Sequence, residues 1–230
     1  MIIGNDGVNF CFLNDKEGGW INAPERIPES DKTTQDIEIG DINGDGFLDI
    51  ICGNENDNEI WINDGSGYFK DETQQRINII SGAWETREVD LADLDGDGDL
   101  DMVLANVNFR QDKDHQNRLF INDGDGIFKD VTVKLLPQEK MHSVDIDVAD
   151  LDGDGLVELI VSNGFGNSIT IYSKAESDTY KNVTSTFLPA SIRGDIIDTE
   201  IADLNNDGIL DIYICSFRGS DMLIFGKSNQ

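Results

Sequence analysis

Residues 92–106 read ADLDGDGDLDMVLAN, which places Asp93, Asp95, Asp97, Asp99 and Asp101 within nine positions and follows them at once with the apolar run Met102–Ala105. Carboxylates this close repel one another, and like charges at short range cost folding energy. A disordered acidic tail would escape that cost by solvation. Here the acids alternate with glycines and lead into strand formers, so they belong to a turn. An Asp-x-Asp-x-Asp-Gly turn wraps oxygens around a point. The simplest occupant of that point is a hard divalent cation, and calcium takes six to eight oxygens at about 2.3–2.6 Å.

The stretch recurs. DINGDGFLD starts at Asp41, DLDGDGDLD at Asp93, DLDGDGLVE at Asp150 and DLNNDGILD at Asp203, with spacings of 52, 57 and 53 residues. A nearly fixed period of this size marks stacked supersecondary units. An alternating run leads into each loop (IEIGD, REVDLAD, DIDVAD, TEIAD). A β-rich run leaves it (LDIICGN, LDMVLAN, VELIVSN, LDIYICS), and a third follows a variable gap (NEIWIND, NRLFIND, NSITIYS, DMLIFGK). In the first three repeats a turn introduces a fourth run, in GYFKDET, GIFKDVT and TYKNVT. Short apolar runs rich in β-branched and aromatic residues, separated by turn residues, read as strands, and no segment has a helical period of useful length. Four strands per repeat of about 53 residues is the pattern of a propeller blade.

The expected fold is therefore all-β, a β-propeller of four-stranded antiparallel blades. Gly4-Asn5 to Asn14-Asp15 matches the spacing of Gly53-Asn54 to Asn63-Asp64, so the chain begins near the end of a second strand and ends just after a third. This reading counts four first strands, five second, five third and four fourth. A single domain over residues 1–230 is expected, with repeats near 1–34, 35–86, 87–142, 143–195 and 196–230. About five blades with incomplete end blades are expected; the alternative is a segment of a seven-bladed ring, which would need about 370 residues at this period. Open blade edges raise a further expectation of self-association by strand pairing.

Numbered from its first Asp, each loop offers side-chain oxygens at positions 1, 3, 5 and 9 and a backbone carbonyl at position 7. The expected ligands are Asp41, Asn43, Asp45, Phe47 (carbonyl) and Asp49; Asp93, Asp95, Asp97, Asp99 (carbonyl) and Asp101; Asp150, Asp152, Asp154, Leu156 (carbonyl) and Glu158; and Asp203, Asn205, Asp207, Ile209 (carbonyl) and Asp211. Position 6 is always Gly, the residue that takes positive φ without steric cost. An EF-hand would need Glu at position 12 and flanking helices. Position 12 is Cys52, Leu104, Val161 or Ile214, which excludes it. About four Ca2+ ions are expected, with the carboxylate-rich second loop binding tightest, because ligand charge tunes affinity.

The remaining composition narrows the partners. Lys plus Arg is 17 against 46 Asp plus Glu, a net charge of −29. Nucleic acid needs basic surface, and anionic membranes do too, so neither is expected. No apolar run reaches the roughly 20 residues of a membrane span. Met1-Ile2-Ile3 runs straight into GNDG without a leader, which fits a cytosolic chain or a mature or trimmed form. The three cysteines, Cys11, Cys52 and Cys215, sit in apolar runs and are expected as buried thiols.

The segment DLDGDGDLDMVLAN…RLFINDGDGIFKDVT resembles the FG-GAP/VCBS repeat family, and the resemblance covers essentially the whole chain. It implies a calcium-loaded β-propeller, usually extracellular or at the cell surface. Relatives include integrin α-subunit heads, fungal propeller lectins and parts of polysaccharide-degrading proteins. The departures are Glu158, the Asn205-Asn206 pair and the missing acidic loop at the N-terminus. The expected role is recognition or adhesion, with glycan or an extracellular protein as partner; the alternative is a structural subunit of an extracellular assembly. A polysaccharide-degrading enzyme is the weaker reading, because no acid–base constellation stands out beside the loops. The ligand face should lie opposite the calcium loops, where the other connections gather Trp84, Arg87, Arg110, His142 and Arg193. Two short motifs carry less weight: the integrin-binding triplet Arg193-Gly194-Asp195 and the glycosylation sequon Asn182-Val183-Thr184.

Overall fold

A computed structural model describes residues 1–78, 84–109, 113–174 and 178–227. Eighteen strands form five antiparallel sheets, each in simple sequential order. The first sheet holds β1 (Ile2–Ile3), β2 (Phe10–Asn14) and β3 (Trp20–Asn22). The second holds β4 (Thr34–Gly40), β5 (Asp49–Asn54), β6 (Glu59–Asn63) and β7 (Phe69–Asp71). The third holds β8 (Thr86–Ala92), β9 (Asp101–Asn106), β10 (Arg118–Asn122) and β11 (Phe128–Asp130). The fourth holds β12 (Ser143–Ala149), β13 (Glu158–Asn163), β14 (Ser168–Ser173) and β15 (Lys181–Asn182). The fifth holds β16 (Ile196–Ala202), β17 (Asp211–Ser216) and β18 (Met222–Ile224). The sheets are propeller-like blades of three or four strands. Among the described residues the strands number four first, five second, five third and four fourth, in agreement with the repeat pattern.

Successive side chains of a strand point to opposite faces, and the second and third strands of each inner sheet are apolar on both. In the second sheet, Ile50, Cys52 and Trp61 pack toward the first sheet, while Ile51, Ile60 and Ile62 pack toward the third. Met102, Leu104 and Phe120 of the third sheet complete that second interface, with Trp84 set edge-on to Phe120 at 5.9 Å between centroids. Val103, Ala105 and Leu119 meet Leu159, Val161 and Tyr172 of the fourth sheet. Ile160, Ile169 and Ile171 meet Ile212 and Ile214 of the fifth. The core is thus four inter-sheet layers rather than one centre. This is why the β-rich runs read as continuously apolar rather than alternating.

The sequence shows no helical period, yet one-turn helices α1 (Thr73–Arg76), α2 (Thr132–Leu135) and α3 (Thr184–Phe187) follow the fourth strands. Local hydrogen bonding explains them. Asp71, Asp130 and Asn182 each accept the backbone N–H of the Thr two residues on, at 2.9, 2.9 and 3.1 Å. Each Thr hydroxyl then accepts a third-strand N–H, from Ile60, Leu119 and Ile171, at 2.9–3.0 Å. The Asn182 sequon is therefore the fourth sheet's version of a repeated Asx-x-Thr hinge. Cys11, Cys52 and Cys215 are free thiols; the first two are buried and Cys215 is half-buried.

Candidate metal centres and ligand face

The four acidic loops connect the first and second strands of the second to fifth sheets. Position 6 is left-handed in every loop, at Gly46, Gly98, Gly155 and Gly208. Position 4 is left-handed as well, at Gly44, Gly96, Gly153 and, in the fourth loop, Asn206 at φ 60°. Asn is among the few side chains that tolerate this region, which accounts for the Asn205-Asn206 departure.

The first Asp of each loop organises the wrap. Asp41 accepts the N–H groups of Asp45 and Gly46, and Asp203 those of Asp207 and Gly208. Asp93 accepts from Gly96 and Gly98, and Asp150 from Gly153, Asp154 and Gly155. The ninth position is the anchor: Asp49, Asp101, Glu158 and Asp211 are all buried. Asp101 accepts the N–H of Leu94 at 2.8 Å through Oδ2 and that of Asn122 at 2.8 Å through Oδ1, which ties the loop to the third strand. Asp49 and Asp211 repeat the arrangement with Asn63 and Gly226. Burial pushes the Asp101 carboxyl up to about 6 against these two bonds, and raises those of Asp49 and Glu158. Glu158 differs: Oε2 accepts from Leu151 at 2.9 Å, and Ser173 of β14 also hydrogen-bonds the carboxylate.

Two loops bring three carboxylates to one point. Oxygens of Asp93, Asp95 and Asp101 lie within 4.8 Å of one another, as do those of Asp150, Asp152 and Glu158. In the first and fourth loops, Asn43 and Asn205 stand where the third acid would be. The position-5 carboxylates Asp97 and Asp154 stand outside these clusters and accept the N–H groups of Asp99 and Leu156. An all-oxygen set with crowded carboxylates fits calcium.

The opposite ends of the strands carry the other connections. Trp84 is 5% exposed and lies in the core, not on a surface. Arg87 pairs with Glu85 at 3.1 Å, donates to Gln35 at 2.7 Å and lies 4.6 Å from the Phe109 ring centre. His142 stacks between Phe109 (5.5 Å) and His115 (5.3 Å), with Phe165 edge-on at 5.1 Å. Burial and the neighbouring His115 hold the His142 imidazole below its usual range. Phe165 is exposed and held at φ 57°, an uncommon conformation for a bulky residue. Arg193 is exposed and donates to the Ile192 carbonyl, while Asp195 of the same triplet accepts the Gly166 N–H. Arg110 lies outside the described residues.

A second acidic group escaped the sequence reading. The four first strands carry Asp36 and Glu38, Glu88 and Asp90, Asp145 and Asp147, and Asp198 and Glu200, and β4, β8, β12 and β16 are neighbours in that order. Asp36 accepts the N–H of Val89, Asp90 that of Val148 and Asp145 that of Thr199, all at 2.9 Å, so each sheet clasps the next. Burial and the neighbouring acids raise Glu38 and Asp147 to about 7 and push Glu88 up as well; burial is the main cause for Asp90, at about 6. The signal was an acid–x–acid triplet in every lead-in run, with a β-branched residue (Ile37, Val89, Ile146 or Thr199) at its centre.

The FG-GAP-like repeat profile matches residues 1–52, 41–104, 93–161 and 150–214. Cartilage acidic protein 1 from Homo sapiens is 27% identical over 169 residues, covering 69% of this chain and 25% of that protein. The T-cell immunomodulatory protein homolog of Plasmodium yoelii yoelii is 30% identical over 152 residues, covering 60% and 21%. This chain thus spans about a quarter of the length of the curated relatives it matches. An Agrocybe aegerita lectin, described as recognising non-reducing terminal N-acetylglucosamine, superposes with a TM-score of 0.53 at 20% identity, over 92% of this chain and 56% of that one. Among the described residues no helix is long and apolar enough to cross a membrane. The chain belongs to the family of FG-GAP-like repeat proteins.

Proposed function

We propose that this chain is a calcium-stabilised extracellular recognition or adhesion module, with a β-propeller architecture, that binds a glycan or another extracellular ligand on the face opposite the acidic loops. The ring cluster of Phe109, His142, His115 and Phe165 beside Arg87 is the observation that carries the ligand reading. It gathers two exposed Phe rings and two half-buried His rings from three connections, beside a planar cation on β8. Aromatic faces and guanidinium groups are suited to stacking on and hydrogen-bonding a sugar. The ligand in the lectin's description makes a terminal amino sugar the first class to test.

One calcium ion per acidic loop would be held by the oxygens at positions 1, 3, 5, 7 and 9. When bound, it supplies the positive charge that the crowded carboxylates lack, and it stabilises the folded state because the unfolded chain has no such site. The chain's own part is to hold the oxygens. Left-handed residues at positions 4 and 6 turn the loop inward, and the buried ninth residue fixes it to the sheet. Calcium here organises the fold, and the opposite face meets the ligand.

Binding to a broad glycan array, in calcium and again in EDTA, tests the reading. The expected result is selective binding in calcium that is lost in EDTA and in Phe165→Ala. Silence from a folded, calcium-loaded sample would overturn the glycan assignment and leave the assembly role as the alternative.

A further inference from the structure

The third strands β6, β10 and β14 lead to one equivalent position. Pairing with the fourth strands sets Trp61 opposite Asp71, Phe120 opposite Asp130 and Tyr172 opposite Asn182, so Asn63, Asn122 and Lys174, each two residues on, correspond. Asn122 reaches back to the sheet before its own: Nδ2 donates to the carbonyl of Ile42, the second residue of the first acidic loop, at 2.8 Å. Lys174 makes the same reach one sheet later. Its Nζ donates to the carbonyl of Leu94, the second residue of the second loop, at 2.6 Å. An ammonium therefore stands where the preceding sheet places a neutral amide.

The difference falls on the most charged loop. The second loop carries five carboxylates, against three, four and three in the first, third and fourth. Leu94 lies between Asp93 and Asp95, and its own N–H is held by Asp101, so the ammonium meets the backbone beside the cluster those three acids form. Lys174 also lines the same groove as Asp93 and Asp95. Its side chain is half-buried, and Nζ lies 4.9 Å from the centre of the buried Tyr180 ring, so a carbonyl and a ring face hold it in place. Burial pulls its pKa down, while the charges of Asp95, Asp101 and Asp93 favour the ammonium. It closes no ion pair with them among the described residues, and its charge acts on all three together.

We propose that Lys174 is a built-in counter-ion of the second loop, which offsets the carboxylate cluster when calcium is absent and opposes the ion when it binds. The inference rests on the calcium reading of the loops. The charge of the ligands sets calcium affinity, and a fixed positive charge beside them subtracts from it by the same Coulomb law that draws the ion in. The second loop therefore releases calcium more readily than its own carboxylates dictate, and its empty state is held together better than five crowded acids alone would allow. The first loop, which meets the Asn122 amide at this point, has no such brake.

Calorimetric calcium titration of the full chain tests this, read on the binding class that Asp93→Ala removes. Lys174→Gln and Lys174→Asn are neutral and can still donate to the Leu94 carbonyl, whereas Lys174→Arg keeps the charge. At low salt both neutral variants are expected to bind calcium in that class about three- to tenfold more tightly than wild type, with the gain shrinking at about 0.5 M salt. Lys174→Arg should stay within about twofold of wild type. In EDTA the neutral variants should melt below wild type, because the empty cluster has lost its counter-ion. Tighter calcium binding together with a weaker calcium-free fold is a pair of shifts that lost packing alone does not produce. In an Asp93→Ala background, Lys174→Gln should leave the remaining classes unchanged. Equal or weaker calcium binding in both neutral variants overturns the proposal and leaves the calcium reading standing, and so does a gain that Lys174→Arg shares. A wild type that binds no calcium overturns both.

Discussion

Asp101→Asn separates the two roles assigned to the ninth loop residue, because it keeps the shape and removes the charge. Without calcium at neutral pH, the wild-type carboxylate is ionised although burial has raised it from 3.8 to about 6. At 1.36 kcal/mol for each pH unit, that ionisation costs the fold about 3 kcal/mol. Asn escapes the cost but sets an amide NH2 against the N–H of Leu94 or Asn122, and loses one charge-assisted bond of about 1.5–3 kcal/mol. The two effects cancel to within about 1.5 kcal/mol. With calcium at a hundredfold excess over Kd, a loaded site contributes about 2.7 kcal/mol, and the variant forfeits up to that amount. At about 2–4 °C for each kcal/mol in a chain of this size, the variant should melt within a few degrees of wild type in EDTA and lag by about 5–10 °C in calcium. Thermal melts followed by circular dichroism read both conditions. A lag of equal size in EDTA would mean that Asp101 is only a structural anchor. No lag in calcium would mean that it is not a ligand.

Three other outcomes follow from the same geometry. Calorimetric calcium titration should lose its tightest class in Asp93→Ala and keep it in Asp41→Ala; the reverse contradicts the ranking of the loops. The first-strand acids give calcium-free stability a definite sign. Glu38, Asp90 and Asp147 hold protons in the folded state that the unfolded chain has released, so their contribution is full below about pH 4 and is lost as pH rises through about 6–7. The melting temperature in EDTA should therefore fall between about pH 5 and pH 8, and Glu38→Gln should flatten the fall; a rise over that interval refutes the assignment. Phe120→Ala removes a fully buried ring packed on Trp84 and should cost about 3–5 kcal/mol in urea unfolding, and a loss below about 1 kcal/mol would contradict the inter-sheet packing.

What was legible in the sequence was local and repeated. A period near 53 residues and the order of strand-forming runs gave every sheet its strands, because each acidic loop fixes the register of the two strands it joins. In two loops the carboxylates at positions 1, 3 and 9 do come to one point, as their spacing suggested. The short helices were not, since an Asx-x-Thr hydrogen-bond pattern makes them without any apolar period. The first-strand acids were present in every lead-in run, but their meaning depends on strands about 53 residues apart lying side by side. For Trp84 the sequence left a ligand-face position and a core plug both open, because nothing local says that the Phe120 ring waits beside it. The stack of Phe109, His142 and His115, and Phe165 at its edge, comes from connections in different sheets, and no spacing in the chain announces it.

Calcium titration of the calcium-free chain by calorimetry, paired with its melting temperature before and after, tests the central claim most directly. The account predicts saturable binding approaching one ion per acidic loop, with a melting temperature that climbs as the loops fill. An absence of binding heat and an unchanged melt in millimolar calcium would contradict it.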